Sequence, residues 1–352
     1  MKFYIKTFGC QMNLADSDLV QEILETKGYT PLYNPDAADL MVVNTCTVRE
    51  HAENRALSYI GRCASWKNAK TGRKLVVMGC VAERLQKTLK HKNPFIDLLI
   101  SSKDIEKLPT LLDQFGIIHT RQSSRTSQWI TIMRGCNNYC TYCIVPYVRG
   151  RERSIPADEI IRTVQQRVAS GIHEIILLGQ NVNSYVSNKT NFARLLACIA
   201  GINGIDKVSC MTSHPKDFND EIINTINAHP NISRDIHLPV QSGSNKILKL
   251  MNRGYTKEEY LTKITRAKNK ISGARITTDI IVGFPGEEET DFNETVELIE
   301  TAGFSSAYVF KYSERAGTKA ADYTDSIPRE VKERRHAVIL NTFKKGASIR
   351  AA

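Results

Sequence analysis

Apolar and polar positions along this chain switch repeatedly between two periods. Short apolar, often β-branched runs predict buried strands. Between them, apolar residues recur every three or four positions and predict amphipathic helices. Over residues 1–116 this reading predicts strands at 2–7, 40–44, 74–78 and 96–100. It predicts helices at 16–27, 48–67, 82–89 and 105–115, with Leu19, Ile23 and Leu24 sharing one face of the first. Alternating β and α elements predict a mostly parallel, doubly wound α/β sheet with helices on both faces. Residues 117–128 hold Arg121-Gln122-Ser123-Ser124-Arg125 with few apolar positions and predict a linker. From 129 the alternation resumes six times, with strands at 129–134, 174–178, 207–211, 235–240, 275–282 and 306–312. Helices are predicted over 157–169, 192–199, 217–228, 246–251 with 257–272, and 289–302. Six βα units predict an incomplete (β/α)6 barrel within 129–352, with chemistry on loops at the carboxyl ends of its strands. A final basic helix over 328–345 carries Arg329, Lys332, Arg334 and Arg335, read as a solvated face.

The cysteines change this picture most. Cys136, Cys140 and Cys143 are spaced Cys-x3-Cys-x2-Cys on the loop after the first barrel strand, with no fourth ligand nearby in sequence. A structural zinc site wants four protein ligands. Three thiolates suit a 4Fe–4S cluster with one open iron, and the spacing resembles the signature of radical S-adenosylmethionine (SAM) enzymes. The alternative is a zinc knuckle completed by a distant His or Cys. In the N-terminal region Cys10, Cys46 and Cys80 each follow a strand, 36 and 34 positions apart. Loops after neighbouring parallel strands share one sheet edge, where ligands of open α/β sheets bind. The three can converge on a second cluster; three buried structural cysteines is the other reading. Cys63, Cys198 and Cys210 lie inside elements among apolar neighbours and are expected in the core.

Composition narrows the partners. The net charge of +11 points to a polyanion, nucleic acid first. Nine cysteines without a secretion signal argue for reduced thiols used in metal or redox chemistry. No apolar run is long enough for a transmembrane helix, and the start of the chain is not a signal peptide. A cytoplasmic, monomeric protein with no membrane contact is expected.

Further motifs stand in order along nearly the whole chain. They are Thr7-Phe8-Gly9-Cys10-Gln11-Met12-Asn13, Val43-Asn44-Thr45-Cys46-Thr47-Val48-Arg49, Met78-Gly79-Cys80, and Arg134-Gly135-Cys136 through Tyr142-Cys143-Ile144-Val145-Pro146-Tyr147. Then come Leu178-Gly179-Gln180-Asn181-Val182-Asn183, Thr212-Ser213-His214-Pro215, His237 through Ser244, and Ile281-Val282-Gly283-Phe284-Pro285-Gly286-Glu287. With these the chain resembles the radical SAM methylthiotransferase family. The resemblance implies two 4Fe–4S clusters, at Cys10/Cys46/Cys80 and at Cys136/Cys140/Cys143, with all six cysteines as catalytic metal ligands. SAM would serve as both radical source and methyl donor. It further implies methylthiolation of C2 of N6-isopentenyladenosine beside the anticodon, with a tRNA anticodon stem-loop as partner and flavodoxin or ferredoxin as reductant. Sister activities on threonylcarbamoyladenosine in tRNA or on a ribosomal-protein aspartate are alternatives. So, from another class, is an iron–sulfur electron carrier or RNA-binding protein.

Toward SAM, the resemblance implies roles for Tyr142 (stacking on adenine), for the amides Gln180, Asn181, Asn183 and Gln241, for Ser213 and Asp279, and for the backbone of 283–286. Each has a plainer alternative as packing, a polar turn or a structural acid. Arg149, Arg151 and Arg153 would neutralise the SAM carboxylate or RNA phosphates, or form a solvated charge run. The family commonly has Arg where Ile155 stands, and Pro where Ala316 and Lys319 stand. It also usually ends in a small RNA-binding β-barrel, the TRAM domain. Here the chain stops at Ala352, after Lys344-Lys345-Gly346-Ala347-Ser348-Ile349-Arg350, so weak tRNA binding is expected.

Overall fold

The structure, a computed structural model, describes residues 1–113 and 127–350, without the side chains of Glu106 and 344–350. The chain divides into two compact units: residues 1–127 with 144–150, and residues 128–143 with 151–352. The linker expected over 117–128 lies outside the described residues except for Ser127 and Gln128.

In the first unit, β1 (Lys2–Thr7), β3 (Leu40–Thr45), β4 (Lys74–Gly79) and β5 (Leu98–Ser101) pair in parallel, and the short β2 (Thr30–Pro31) flanks β1. The order is β2-β1-β3-β4-β5. The strand period of two sorts side chains onto the two faces. Leu40, Val42, Val76 and Met78 pack with Val20 and Leu24 of α1 (Gln11–Thr26). Met41, Val43, Leu75 and Val77 pack with Ala56 and Ile60 of α2 (Glu50–Asn68) and Val81 of α3 (Cys80–Lys92). The doubly wound expectation is met. Several boundaries moved: α1 begins at Gln11 rather than 16, α2 at Glu50 rather than 48, α3 runs Cys80–Lys92 rather than 82–89, and β5 begins at Leu98 rather than 96. Of the helix predicted over 105–115, the described residues form a 3-10 turn, Ile105–Lys107, and a short helix, Leu108–Asp113, and 114–115 lie outside the described residues.

The second unit holds two three-stranded parallel sheets. Trp129–Thr131, Glu174–Leu178 and Lys207–Cys210 form one; Asp235–His237, Arg275–Val282 and Ser306–Lys311 form the other. The predicted strands are all present and in order, and the two sheets do not close into a continuous ring. One buried apolar cluster lies between strands and helices, from Ile130 and Leu177 to Phe304 and Ile339. Ile155 packs against it, and its carbonyl accepts the Tyr185 hydroxyl at 2.7 Å, so an apolar residue there serves the core. No helix among the described residues is long and apolar enough to cross a membrane.

The last helix, Arg329–Arg350, is not simply a solvated face. Arg335 is buried and bonds Glu287 at 2.7 Å and Glu289 at 3.1 Å. Cys63 is buried in the core of the first unit and the half-buried Cys210 packs against that of the second, whereas Cys198 is exposed. Cys198 sits on the outward face of a helix whose buried stripe is Leu195, Leu196 and Ile199.

Candidate functional site

Three adjacent parallel strands deliver three cysteines to one edge of the first sheet. Cys10 caps α1 just beyond β1, Cys46 follows β3, and Cys80 opens α3 directly after β4. Two glycines allow the approach. Gly9 has φ +120°, and a Cβ there would lie 2.2 Å from the Cys46 Cβ. Gly79 has φ +97°, and a Cβ would lie 2.3 Å from the Thr45 carbonyl oxygen. Both are positions that a side chain cannot occupy without moving the neighbouring strand.

Polar side chains of the two long motifs form a buried lattice beneath the cysteines. Asn13 Nδ2 donates to Asn44 Oδ1 and to the Thr45 carbonyl, both at 2.9 Å. Asn44 Nδ2 returns bonds to the Asn13 carbonyl at 2.8 Å and Ser17 Oγ at 2.9 Å. Arg149, expected at SAM or RNA, instead lies in this unit at 6% exposure. Its Nη1 meets Asp16 Oδ2 at 3.1 Å and its Nη2 meets Asn13 Oδ1 at 3.5 Å. Arg151 and Arg153 are exposed. The Cys46 thiol donates to Cys10 and Arg149 adds positive charge nearby; together they bring the Cys10 thiol down to about 6. The same bond, with burial, raises Cys46, while burial raises Cys80 against the opposing pull of Arg149.

In the second unit Cys136, Cys140 and Cys143 lie on one loop pinned from several sides. Gln180 Oε1 accepts the Gly135 N–H at 2.5 Å, and Thr141 binds the Met251 and Leu250 carbonyls at 3.0 and 2.9 Å. Asn252 Nδ2 donates to the Asn138 and Tyr139 carbonyls, each at 3.1 Å. Cys136 is pushed up to about 11, chiefly by burial. Arg253, which sequence reasoning missed, donates to Cys140 Sγ and to the Tyr142 hydroxyl, both at 3.2 Å. The available signal was a lone cation in Asn252-Arg253-Gly254 after a short apolar helix; Asn252 and Gly254 have φ +57° and +67°.

The remaining candidates divide. Asn181 Nδ2 donates to Asp217 Oδ2 at 2.6 Å, but its Oδ1 is buried without a partner, as are Asn183 Nδ2 and Gln241 Oε1. Gln241 also adopts φ +77°. Buried polar atoms left unpaired cost stability and mark places where a ligand group belongs. Ser213 is half-buried beside His214. Asp279 pairs with His237 Nε2 at 3.5 Å and has a structural partner already. Tyr142 packs with Ile247, Met251 and Phe284. In 283–286, Gly283 N–H is held by Glu287 Oε2 at 2.6 Å, and Glu287 Oε1 has no partner.

Among the described residues, no three His, Cys, Asp or Glu side chains converge to hold a single metal ion. A cubane makes no such demand, because each thiolate takes its own iron. All-cysteine donor sets suit iron–sulfur chemistry, and the orphaned amide atoms suit a polar cofactor. The residues present therefore fit both groups.

Comparison with known proteins agrees. Residues 130–299 match the radical SAM superfamily, and residues 2–101 match an uncharacterized protein family, UPF0004. A radical S-adenosylmethionine methyltransferase, TsrM from Kitasatospora setae, covers 88% of this chain and 74% of its own, with a TM-score of 0.69 at 12% identity, a likeness of fold alone. The tRNA-2-methylthio-N(6)-dimethylallyladenosine synthase of Endomicrobium trichonymphae is 44% identical over 98% of this chain and 84% of its own length. That of Carboxydothermus hydrogenoformans is 43% identical over 95% and 81%. The class is thus a radical SAM enzyme with a second cysteine-bearing α/β unit. The chain belongs to the tRNA-2-methylthio-N(6)-dimethylallyladenosine synthase family.

Proposed function

We propose that this enzyme adds a methylthio group to C2 of N6-isopentenyladenosine beside the anticodon of tRNA. The supporting observation is the pair of separate three-cysteine sets, each with a buried arginine beside one or more of its thiols, in a chain whose relatives carry the name of that reaction. Cys136, Cys140 and Cys143 would hold one 4Fe–4S cluster, and Cys10, Cys46 and Cys80 another. When bound, these clusters and SAM supply the reducing electron, the radical source, the methyl group and the sulfur.

The chain's own residues bind and orient. Gln180 fixes Gly135 and with it the start of the cysteine loop. Asn181 Oδ1, Asn183 Nδ2 and Gln241 Oε1 are the free amide atoms to engage SAM, with Ser213 alongside. Asp279 orients His237. Arg253 and Arg149 counter the negative charge that thiolate ligands bring. The net charge of +11 suits a tRNA anticodon stem-loop, and flavodoxin or ferredoxin is the fitting class of electron donor. A cytoplasmic monomer is part of this reading.

Mass spectrometry of tRNA nucleosides from cells with and without the gene tests it. Loss of the gene should remove the 2-methylthio form and leave N6-isopentenyladenosine in its place. Loss of a methylthiolated threonylcarbamoyladenosine instead would move the enzyme to the sister activity. An unchanged nucleoside profile would overturn the tRNA reading.

A further inference from the structure

Arg253 is 4% exposed, and no carboxylate among the described residues pairs with it. Its bonds go to the Tyr255 hydroxyl at 2.9 Å, the Tyr142 hydroxyl at 3.2 Å, the Pro239 carbonyl at 2.9 Å and Cys140 Sγ at 3.2 Å. A buried guanidinium without an anion is strongly disfavoured. The carbonyl cannot ionise, and the two phenols are neutral hydroxyl acceptors. The Cys140 sulfur is the one acceptor that becomes an anion on binding metal.

A second donor faces the same sulfur. His214 is buried, and its Nδ1 accepts the Lys216 backbone N–H at 3.2 Å. Because Nδ1 is the acceptor of that bond, Nε2 is the ring nitrogen left to carry the proton. That Nε2 faces Cys140 Sγ at 3.8 Å. Its ring is held edge-on against Tyr255, with centroids 5.7 Å apart.

We propose that Arg253 and His214 are positioning residues that set the reduction potential of a cluster at Cys136, Cys140 and Cys143, by donating two N–H groups to the Cys140 sulfur. This rests on the reading that those cysteines hold a 4Fe–4S cluster. Hydrogen bonds to a ligand sulfur, and net charge near it, are what tune such potentials. Both donors here favour the more negative, reduced state and so raise the potential. Reduction adds one electron from an external one-electron donor; no proton moves, because both donors already carry theirs.

The test uses the full chain, reconstituted anaerobically with iron and sulfide and titrated with dithionite in the presence of mediators. EPR follows the cluster, identified as the one whose signal changes on adding SAM. Arg253→Gln should lower the midpoint by at least tenfold in the reduction equilibrium, about 59 mV for a one-electron couple. Arg253→Lys should recover most of that shift. His214→Phe should lower the midpoint by a smaller amount, because its bond is longer. A wild-type midpoint in Arg253→Gln would overturn the proposal. Should that variant fail to hold iron, a wild-type midpoint in His214→Phe overturns it equally. Wild-type protein lacking any SAM-responsive signal would sink the underlying cluster reading, a failure visible before any variant is made.

Discussion

The two cysteine regions each use three thiols but are built in opposite ways. In the second unit one short loop carries all three, and its shape is held by bonds from Gln180, Asn252 and Thr141. In the first unit each thiol comes from a different strand end, and the sheet order brings them together. Their arginines differ too. Arg149 is neutralised by Asp16, whereas Arg253 has only neutral acceptors and a cysteine. The lesson is that a loop-borne site depends on local bonds, while a sheet-borne site depends on strand register and on whatever lets strands approach.

The sharpest way to break the comparison is to remove one ligand from each region. Cys140→Ala should abolish both 5′-deoxyadenosine release and methylthio product. Cys46→Ala should retain the release and lose only the product. Chromatography of the nucleosides after anaerobic reduction decides, and loss of release in a folded Cys46→Ala protein would contradict the division of labour.

The thiols themselves should differ in the metal-free protein. With Cys10 near 6 and Cys136 near 11, Cys10 is thiolate at pH 7.5 while Cys136 is not. Iodoacetamide should modify Cys10 at least roughly tenfold faster, after allowing for the lower intrinsic nucleophilicity of a low-pKa thiol. The Cys10 rate should fall below about pH 6 and level off above it, whereas the Cys136 rate should still climb at pH 9. Peptide mass spectrometry reads both, and equal rates would rule out the lowering of Cys10 by the Cys46 bond and the nearby Arg149 charge.

Arg149→Met leaves Asp16 charged and buried, with side-chain exposures of 4% and 1% in the intact pair. It should cost about 3–5 kcal/mol in urea unfolding. Adding Asp16→Asn should recover part of that loss.

Two glycines of the first unit give the smaller effects, with opposite signs. Gly9→Ala forces a Cβ against Cys46 at a positive φ and should destabilise by about 1–3 kcal/mol. Gly61 lies inside α2 with nothing within 4 Å of a new Cβ. Gly61→Ala should stabilise by about 0.5–1 kcal/mol. Equal effects in the two variants would mean that the close approach at Cys46 is not rigid.

Legibility follows the same division. The Cys-x3-Cys-x2-Cys loop was readable because its meaning is contained in eight consecutive residues. Cys10, Cys46 and Cys80 required parallel neighbouring strands as well; alternation supplied the parallel sheet, and the family resemblance the choice between a cluster and buried cysteines. The early start of α1 was missed because polar Gln11 and Asn13 break the apolar pattern after Cys10, yet Asn13 is buried in the polar lattice. Arg149 and Arg253 were out of reach for a simpler reason. Asp16 lies 133 positions from one and Cys140 lies 113 from the other, and no local pattern distinguishes a buried arginine from a solvated one.

The seven residues Ile144–Gly150 follow Cys143 without a break, yet they belong to the first unit. There Ile144 and Val148 pack on Cys80, the Val148 carbonyl accepts the Ser102 hydroxyl at 2.6 Å, and Arg149 meets Asp16. The unit is therefore discontinuous in the gene. Recombination between relatives with a single crossover near residue 127 would bring this heptapeptide from one parent and its receiving surface from the other. A workable chimera would need three crossovers, or parents already matched at Ser102, Asp16 and Arg149. On that view a single exchange cannot part the two cysteine regions, whatever their separate architectures.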